Sequence, residues 1–356
     1  MGGERDRRDR SALSTEAGGK VGPNTRRGGP RRRELSLDEY VTGVRAGDRA
    51  VLGRALTLIE SNRREHQGLA QQMLRELLPH TGRSIRLGLT GVPGAGKSTF
   101  VEALGTRLTA ADHRVAVLAV DPSSGVSGGS ILGDKTRMAK LANDPKAFVR
   151  PSPSGGTLGG VARKTRESML VCEAAGHDVI VVETVGVGQS ETQVAEMTDV
   201  FCALLLAGAG DELQGIKRGL LELVDVIAVN KADGDGADRA ERAARQIEGA
   251  LHIFRGGDDV PVLTCSALRD VRVDTVWDAV AKRHGARLEG GHLQERRREQ
   301  DVRWMWGLVE EQIATRMRHD PGVKEVATAM ESAVREGSVP AVEAALRVVE
   351  AFTKAD

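Results

Sequence analysis

Ile85-Arg86-Leu87-Gly88-Leu89-Thr90 runs directly into Gly91-Val92-Pro93-Gly94-Ala95-Gly96-Lys97-Ser98, and this junction decides the fold. The first stretch has the apolar character and length of a buried strand. The second fits GxxxxGK[ST] and stands where a helix should begin. Glycines let the backbone curl so that successive N–H groups point into one hollow, and the helix N-terminus adds the positive end of its dipole. Such a hollow holds phosphate groups. Lys97 is placed to reach the outer phosphates, the Ser98 hydroxyl to ligate Mg²⁺, and Thr99 to continue the cradle into the helix.

Working outward, short Val/Ile/Leu-rich runs alternate with longer helical segments, which predicts an α/β fold with a mainly parallel sheet covered by helices. Strands are expected at 85–90, 115–120, 179–183, 201–206, 226–230 and 260–264. Their continuous apolar character is that of parallel strands buried on both faces. Upstream, Ser36 with Glu39 reads as a capping box, and Asp48 as the cap of a second helix whose apolar face holds Val51, Leu52, Ala55, Leu56 and Ile59. A third helix is expected over 65–78. Downstream of Val271 the pattern is helical again, with a charged segment over 294–318 and a last one over 323–351. Trp304, Met305 and Trp306 read as core anchors. The expected organisation is a disordered basic tail (1–33), a helical lobe (34–82), a nucleotide-binding domain (83–285) and a C-terminal helical extension (286–356).

Composition narrows the classes. The chain has 356 residues, 40% hydrophobic and only 3% aromatic, so Ala, Val and Leu must do most of the packing. Lys plus Arg number 51 against 50 for Asp plus Glu, which leaves no broad positive field to favour nucleic acid or an anionic membrane. Cys172, Cys202 and Cys265 are widely spaced and form no metal or disulfide pattern, so they are expected as buried thiols. No apolar run approaches the roughly 20 residues of a membrane span, and no apolar signal core is evident, so a cytoplasmic protein is expected. A transit peptide is the alternative reading of the tail, but Glu4, Asp6, Asp9 and Glu16 are out of place in one.

Base recognition is carried by Asn230-Lys231-Ala232-Asp233, an NKxD pattern directly after an apolar run. The Asp233 carboxylate can accept from both N1–H and the exocyclic amine of guanine, a pair of donors that adenine lacks. One strand later Ser266-Ala267-Leu268 supplies a loop to back the guanine ring. Glu183 begins Glu183-Thr184-Val185-Gly186 and occupies the Walker B and DxxG position with Glu in place of Asp, so it can hold Mg²⁺ directly or through water. Asp121 ends the preceding strand and brings a second carboxylate to the same sheet edge, where ligands gather in open α/β folds; an Asp-Pro turn is the plainer reading. Gly186 is followed by Val187, not by a Gln that could orient water, and the nearest Gln is Gln189. Unaided hydrolysis should therefore be slow.

Longer segments carry a family resemblance: 119–124 (AVDPSS), 128–138 (GGSILGDKTRM), 150–161 (RPSPSGGTLGGV), 182–191 (VETVGVGQSE), 208–217 (GAGDELQGIK) and 297–306 (RREQDVRWMW). From about residue 40 onward the chain resembles the MeaB/MMAA family, also called ArgK. That resemblance implies a P-loop NTPase fold and a GTP-hydrolysing chaperone of an adenosylcobalamin-dependent acyl-CoA mutase, most often methylmalonyl-CoA mutase. An adenosyltransferase is a further implied partner, and a homodimer joined through the C-terminal helices the implied assembly. GTP or GDP with Mg²⁺ would be bound, and no cobalamin site of the chain's own is implied. Ser98, Asp121, Asp134 and Glu183 would surround the metal, 121–134 and 186–193 would be switches I and II, and 208–217 a third switch. Gln214 and Lys217 would enter the nucleotide site when the mutase docks, joining Lys97 and Glu183 in catalysis.

Three other classes compete. An ATP-dependent kinase linked to basic amino-acid transport fits the older ArgK label, but Asn230–Asp233 speaks against it and no HRD or DFG signature is present. A nickel-inserting GTPase would need a His-rich stretch or a Cys pair, and the eight histidines are scattered. A non-enzymatic scaffold would not explain Lys97, Asp233 and Glu183 in one ordered set.

Overall fold

A computed structural model describes residues 33–120, 138–151, 158–184, 190–207, 218–255 and 260–354. Seven parallel strands form one sheet in the order β3-β2-β4-β1-β5-β6-β7. They are β1 (Ile85–Thr90), β2 (Val115–Val120), β3 (Ala147–Arg150), β4 (Val179–Thr184), β5 (Val200–Leu206), β6 (Val226–Asn230) and β7 (Val262–Thr264). Every residue of β2, β4 and β6 is buried, as expected of strands covered on both faces. The α/β class stands, and β1, β2 and β6 fall where the apolar runs put them. β3 was not expected. It is a four-residue edge strand, too short for a period to show against its neighbours.

Before the sheet come α1 (Leu37–Arg45), α2 (Arg49–Glu60) and α3 (Arg64–Leu77). Asp48 caps α2 as read from sequence, its carboxylate accepting from the amides of Ala50 and Val51. Leu52, Ala55, Leu56 and Ile59 are buried, while Val51 is half-buried. Following β1, α4 (Lys97–Ala110) and α5 (Ala139–Asn143) pack together. The chain continues with α6 (Leu158–Ala174), α7 (Ser190–Ala195), α8 (Arg218–Leu223) and α9 (Ala237–Arg255). α6 lies on β2 and β4, and α1, α2 and α3 pack onto α6. The core is mostly Val, Leu and Ala, with Phe100 and Phe201 its largest fully buried side chains.

The C-terminal region is helical: α10 (Val273–Glu289), α11 (His292–His319), α12 (Pro321–Arg335) and α13 (Ala341–Thr353). α10 packs against α4, β1, β5 and β6, and α11 against α10 and α12. Two expectations need correction. The last segment is two helices rather than one, because Gly337 takes a φ of 72° and Pro340 cannot continue the turn. Trp306 and Met305 are not core anchors in this chain; they are 58% and 49% exposed, and only Trp304 is half-buried. Among the described residues no helix is long and apolar enough to cross a membrane. All three cysteines are free and buried, as expected.

A network of charges closes the end of the sheet opposite the glycine loop. Arg86 pairs with Glu173 at 2.7 Å, and both are buried. Asp199 accepts from the Arg86 amide at 2.8 Å and from Arg297 at 2.8 and 2.6 Å. Arg297 also donates to the carbonyls of Gly82 and Ser84, so α11 is bolted to the start of β1. Burial pushes the Arg86 guanidinium down, but its hydrogen bond and charge pairing with Glu173 more than compensate and hold it above the usual range.

Candidate functional site

β1 is central, flanked by β4 and β5, so the carboxyl ends of neighbouring strands converge on the loop that follows it. Gly91 leaves β1 at a φ of 149°, and a Cβ there would lie 2.1 Å from the Leu204 carbonyl oxygen. Any larger residue would push the loop off β5. Gly96 has a φ of 90°, and a Cβ there would lie 2.7 Å from Asn230 Nδ2. Between them Pro93 and Gly94 are exposed, whereas Ala95 is buried and Val92 half-buried. Gly94, at a φ of 82°, faces open space.

Lys97 opens α4 and is buried; its Nζ donates to the carbonyls of Gly91 at 2.6 Å and Val92 at 3.3 Å. Burial lowers its pKa, opposed by the charges of Glu183 and Glu191. A buried ammonium held by loop carbonyls is a charge that an anion would compensate. Ser98 Oγ donates to Glu183 Oε1 at 3.1 Å. The register explains this: Glu183 is opposite Leu89 on one side and Ala119 on the other, one residue before the strand ends. Beside it the Thr184 hydroxyl donates to that of Thr90 at 3.0 Å, so the two strands leave the sheet tied together.

Asn230 joins the two halves of the site. Its Nδ2 donates to the Ala95 carbonyl at 2.8 Å and its Oδ1 accepts from the Ala267 amide at 2.9 Å. One buried amide thus fixes the glycine loop to the loop after β7. Asp233 Oδ1 accepts from the Ser266 hydroxyl at 2.7 Å. The other carboxylate oxygen stands 3.9 Å from Arg269 Nε. Lys231 sits between them with a φ of 61° and an exposed side chain, and Leu268 is exposed.

The structure therefore brings together Gly91–Ser98, Glu183, Asn230, Asp233, Ser266 and Ala267, with Thr99 exposed on the first turn of α4. Asp121, Asp134, Gln214 and Lys217 lie outside the described residues, as do Val187 and Gln189. A hydroxyl and a carboxylate in contact are hard oxygen donors of the kind Mg²⁺ takes, and Ser98 with Glu183 fits that chemistry. Among the described residues no group of three or more His, Cys, Asp or Glu could hold a metal, so the pair would need further ligands.

Sequence reasoning gave no role to several supporting residues. Arg107 on α4 donates to the Asp270 carboxylate at 2.6 Å and to its carbonyl at 2.9 Å, pinning the loop that carries Ser266–Leu268. Asp270 and Arg272 both take left-handed φ values of 56°, which no residue type there announces. The Cys265 thiol donates to Asn230 Oδ1 at 3.7 Å. Glu191 is buried on α7, in a segment whose only sequence signal was the family pattern.

The profile of the family described as Methylmalonyl Co-A mutase-associated GTPase MeaB matches residues 52–322, from the helical lobe to the start of α12. The chain belongs to the MeaB family. Its resemblance therefore extends through the glycine loop, the Asn230 motif and α11 alike. The Escherichia coli protein named GTPase ArgK is 51% identical over 283 residues, covering 79% of this chain and 86% of its own. The Mus musculus protein named methylmalonic aciduria type A homolog, mitochondrial, is 42% identical over 329 residues, covering 89% and 79%. A crystal structure titled LAO/AO transport system kinase superposes with a TM-score of 0.73 at 40% identity, over 90% of this chain and 99% of that one. This MeaB-family member is a P-loop GTPase by sequence and by fold.

Proposed function

We propose that the chain binds GTP with Mg²⁺ at the carboxyl edge of the sheet and hydrolyses it in the service of an adenosylcobalamin-dependent acyl-CoA mutase, with methylmalonyl-CoA mutase the foremost client. The observation that carries the nucleotide half is the Asn230 side chain, which spans from Ala95 to Ala267 and so sets a guanine-reading loop at a fixed distance from a phosphate-binding one. In this reading the amides of Gly91–Ser98 and Lys97 hold the phosphates, and Asp233 accepts the two guanine donors. Ser266–Leu268 back the ring. Ser98 and Glu183 would hold the Mg²⁺, joined by Asp121 and Asp134; the ion would neutralise charge gathering on the phosphates.

The chain's own groups leave hydrolysis incomplete. No Gln follows Gly186, and Glu183 is engaged with Ser98. Gln214 and Lys217, carried on 208–217, are the groups proposed to complete the site when the mutase docks. The family description, with its association to methylmalonyl-CoA mutase, and the murine relative's name support the choice of partner. Assembly as a homodimer is supported by an exposed apolar stripe, Val302, Met305, Val309 and Ile313, along α11.

The test is GTP hydrolysis with candidate cobalamin mutases added one at a time, paired with a pull-down in GDP and in a non-hydrolysable GTP analogue. Hydrolysis should accelerate with the client mutase, and Lys217→Ala should lose that acceleration while its basal rate stays near the parent's. Equal loss with and without the mutase would place Lys217 in the basal site. Failure of every mutase to bind or accelerate would remove the client and leave the GTPase.

A further inference from the structure

α7 is anchored at both ends to different parts of the molecule. Near its N-terminus Glu191 is buried, and the helix packs on β1 and β4, the strands that lead into Gly91 and carry Glu183; a Cβ at Gly88 would lie 2.9 Å from Val194 Cγ1 and 2.7 Å from Thr198 Oγ1. The turn that joins the C-terminus of α7 to β5 is gripped by α10 and α11. Arg296 donates to the Ala195 carbonyl at 3.5 Å, Gln300 Nε2 to that of Thr198 at 3.0 Å, and Arg297 to both oxygens of Asp199. Arg287, on α10, donates to the Asp199 carbonyl. A rigid element of six residues, about 9 Å long, thus lies between the phosphate site and the C-terminal helices.

This contact is not fully satisfied. Gln300 is 2% exposed, and its Oε1 has no hydrogen-bond partner; Gln193 Oε1, on α7, is also buried without one. Both side chains border a cavity of about 550 Å³ between α6, α7 and α11, whose wall also includes Arg166, Met197 and Trp304. Buried acceptors left unpaired raise the energy of the arrangement that leaves them so. α7 accordingly has both room to shift and something to gain by shifting. Arg297 holds the Asp199 carboxylate and Arg287 its carbonyl, and these fix Asp199 whatever α7 does. Arg296 reaches α7 itself only at 3.5 Å, so the 3.0 Å Gln300 bond is the firmer hold on the turn between α7 and Asp199.

We propose that Gln300 is a positioning residue for GTP hydrolysis: by holding the Thr198 carbonyl it pins the hinge of α7, and so sets how α7 lies against β1 and β4, the strands that lead into Gly91 and carry Glu183. The inference rests on GTP hydrolysis by this chain. It makes α11 a sensor of the nucleotide site, since a shift of α7 must either break the Gln300 bond or carry α11 with it.

Gln300→Met keeps the volume and removes both the donor and the orphan acceptor. Steady-state hydrolysis should show kcat reduced about tenfold with KM for GTP within twofold of the parent. Incorporated 5-fluorotryptophan gives a second readout, with the Trp304 resonance assigned from Trp304→Phe. That resonance should differ between the GDP and non-hydrolysable GTP-analogue complexes in the parent, with the difference at least halved in Gln300→Met. Arg150→Gln, which breaks the Glu60 pair between β3 and α2, serves as the stability control and should leave kcat unchanged. The inference is overturned if Gln300→Met matches the parent's kcat, or if its kcat, KM and melting temperature move together as they do in Arg150→Gln. A Lys97→Ala chain as active as the parent overturns the nucleotide reading, and this inference with it. An active, Lys97-dependent parent matched by Gln300→Met overturns the inference alone.

Discussion

At the scale of residues, the site is held by side chains that perform two tasks at once. Asn230 is the clearest, since the amide that ties Ala95 to Ala267 is buried and uses both its ends. The NKxD pattern was legible in the sequence; the bridge was not, because nothing in the spacing of Ala95, Asn230 and Ala267 tells which atoms meet. Another buried polar group makes stability depend on pH. His177 donates from Nδ1 to the Cys172 carbonyl at 3.0 Å, and burial pushes its pKa down from 6.5 to about 4. A folded-state pKa below the unfolded one means that the unfolded chain takes up the proton first. The contribution of His177 is therefore full above pH 6.5 and is lost as pH falls towards 4, by roughly 3 kcal/mol at the limit. Urea midpoints measured between pH 7.5 and 4.5 should fall with pH more steeply in the parent than in His177→Gln. Equal slopes would mean that His177 contributes nothing to acid destabilisation.

At the scale of elements, legibility followed burial and length. β2 and β6 could be placed because they are apolar almost throughout, β1 because the glycine loop follows it directly, and α2 because Asp48 announces its start. β3 escaped because an edge strand of four residues leaves too little pattern, and the α12–α13 break because Gly337 and Pro340 sit inside an otherwise helical apolar rhythm. Trp306 and Met305 failed as core anchors for a different reason: sequence reports that a residue is apolar but not which surface covers it. On α11 the spacing of Val302, Met305, Val309 and Ile313 makes one exposed stripe, and Val342, Leu346 and Val349 make another on α13. Stripes of this kind mark association. Light scattering on the eluting peak should give the mass of two copies for the parent and of one for Met305→Glu with Ile313→Glu. A mass unchanged by that pair would take the α11 stripe out of the interface.

At the scale of the whole molecule, the sheet order does the assembling. Because β1 stands between β4 and β5, the glycine loop, Glu183 and Asn230 leave the same edge although 139 positions separate Gly91 from Asn230. The opposite edge is closed by Asp199, Arg297, Arg86 and Glu173, so α11 is fastened to the sheet's far end while α7 reaches its near one. The alternation of strands and helices made that edge predictable. The long reach of α11 across it was not, because the pairing of Arg297 with Asp199 spans 98 residues with no local signature.

The central claim is that one site reads phosphates through Gly91–Ser98 and guanine through Asp233. Calorimetric titration of the parent and of Asp233→Asn with GTP, ATP and xanthosine triphosphate, each with Mg²⁺, tests it most directly. The parent should take GTP far more tightly than ATP. Asp233→Asn should weaken GTP by about 10- to 100-fold, the loss of a charge-assisted hydrogen bond, and should strengthen xanthosine triphosphate. An Asp233→Asn chain with the parent's affinity and preference for GTP would contradict the account.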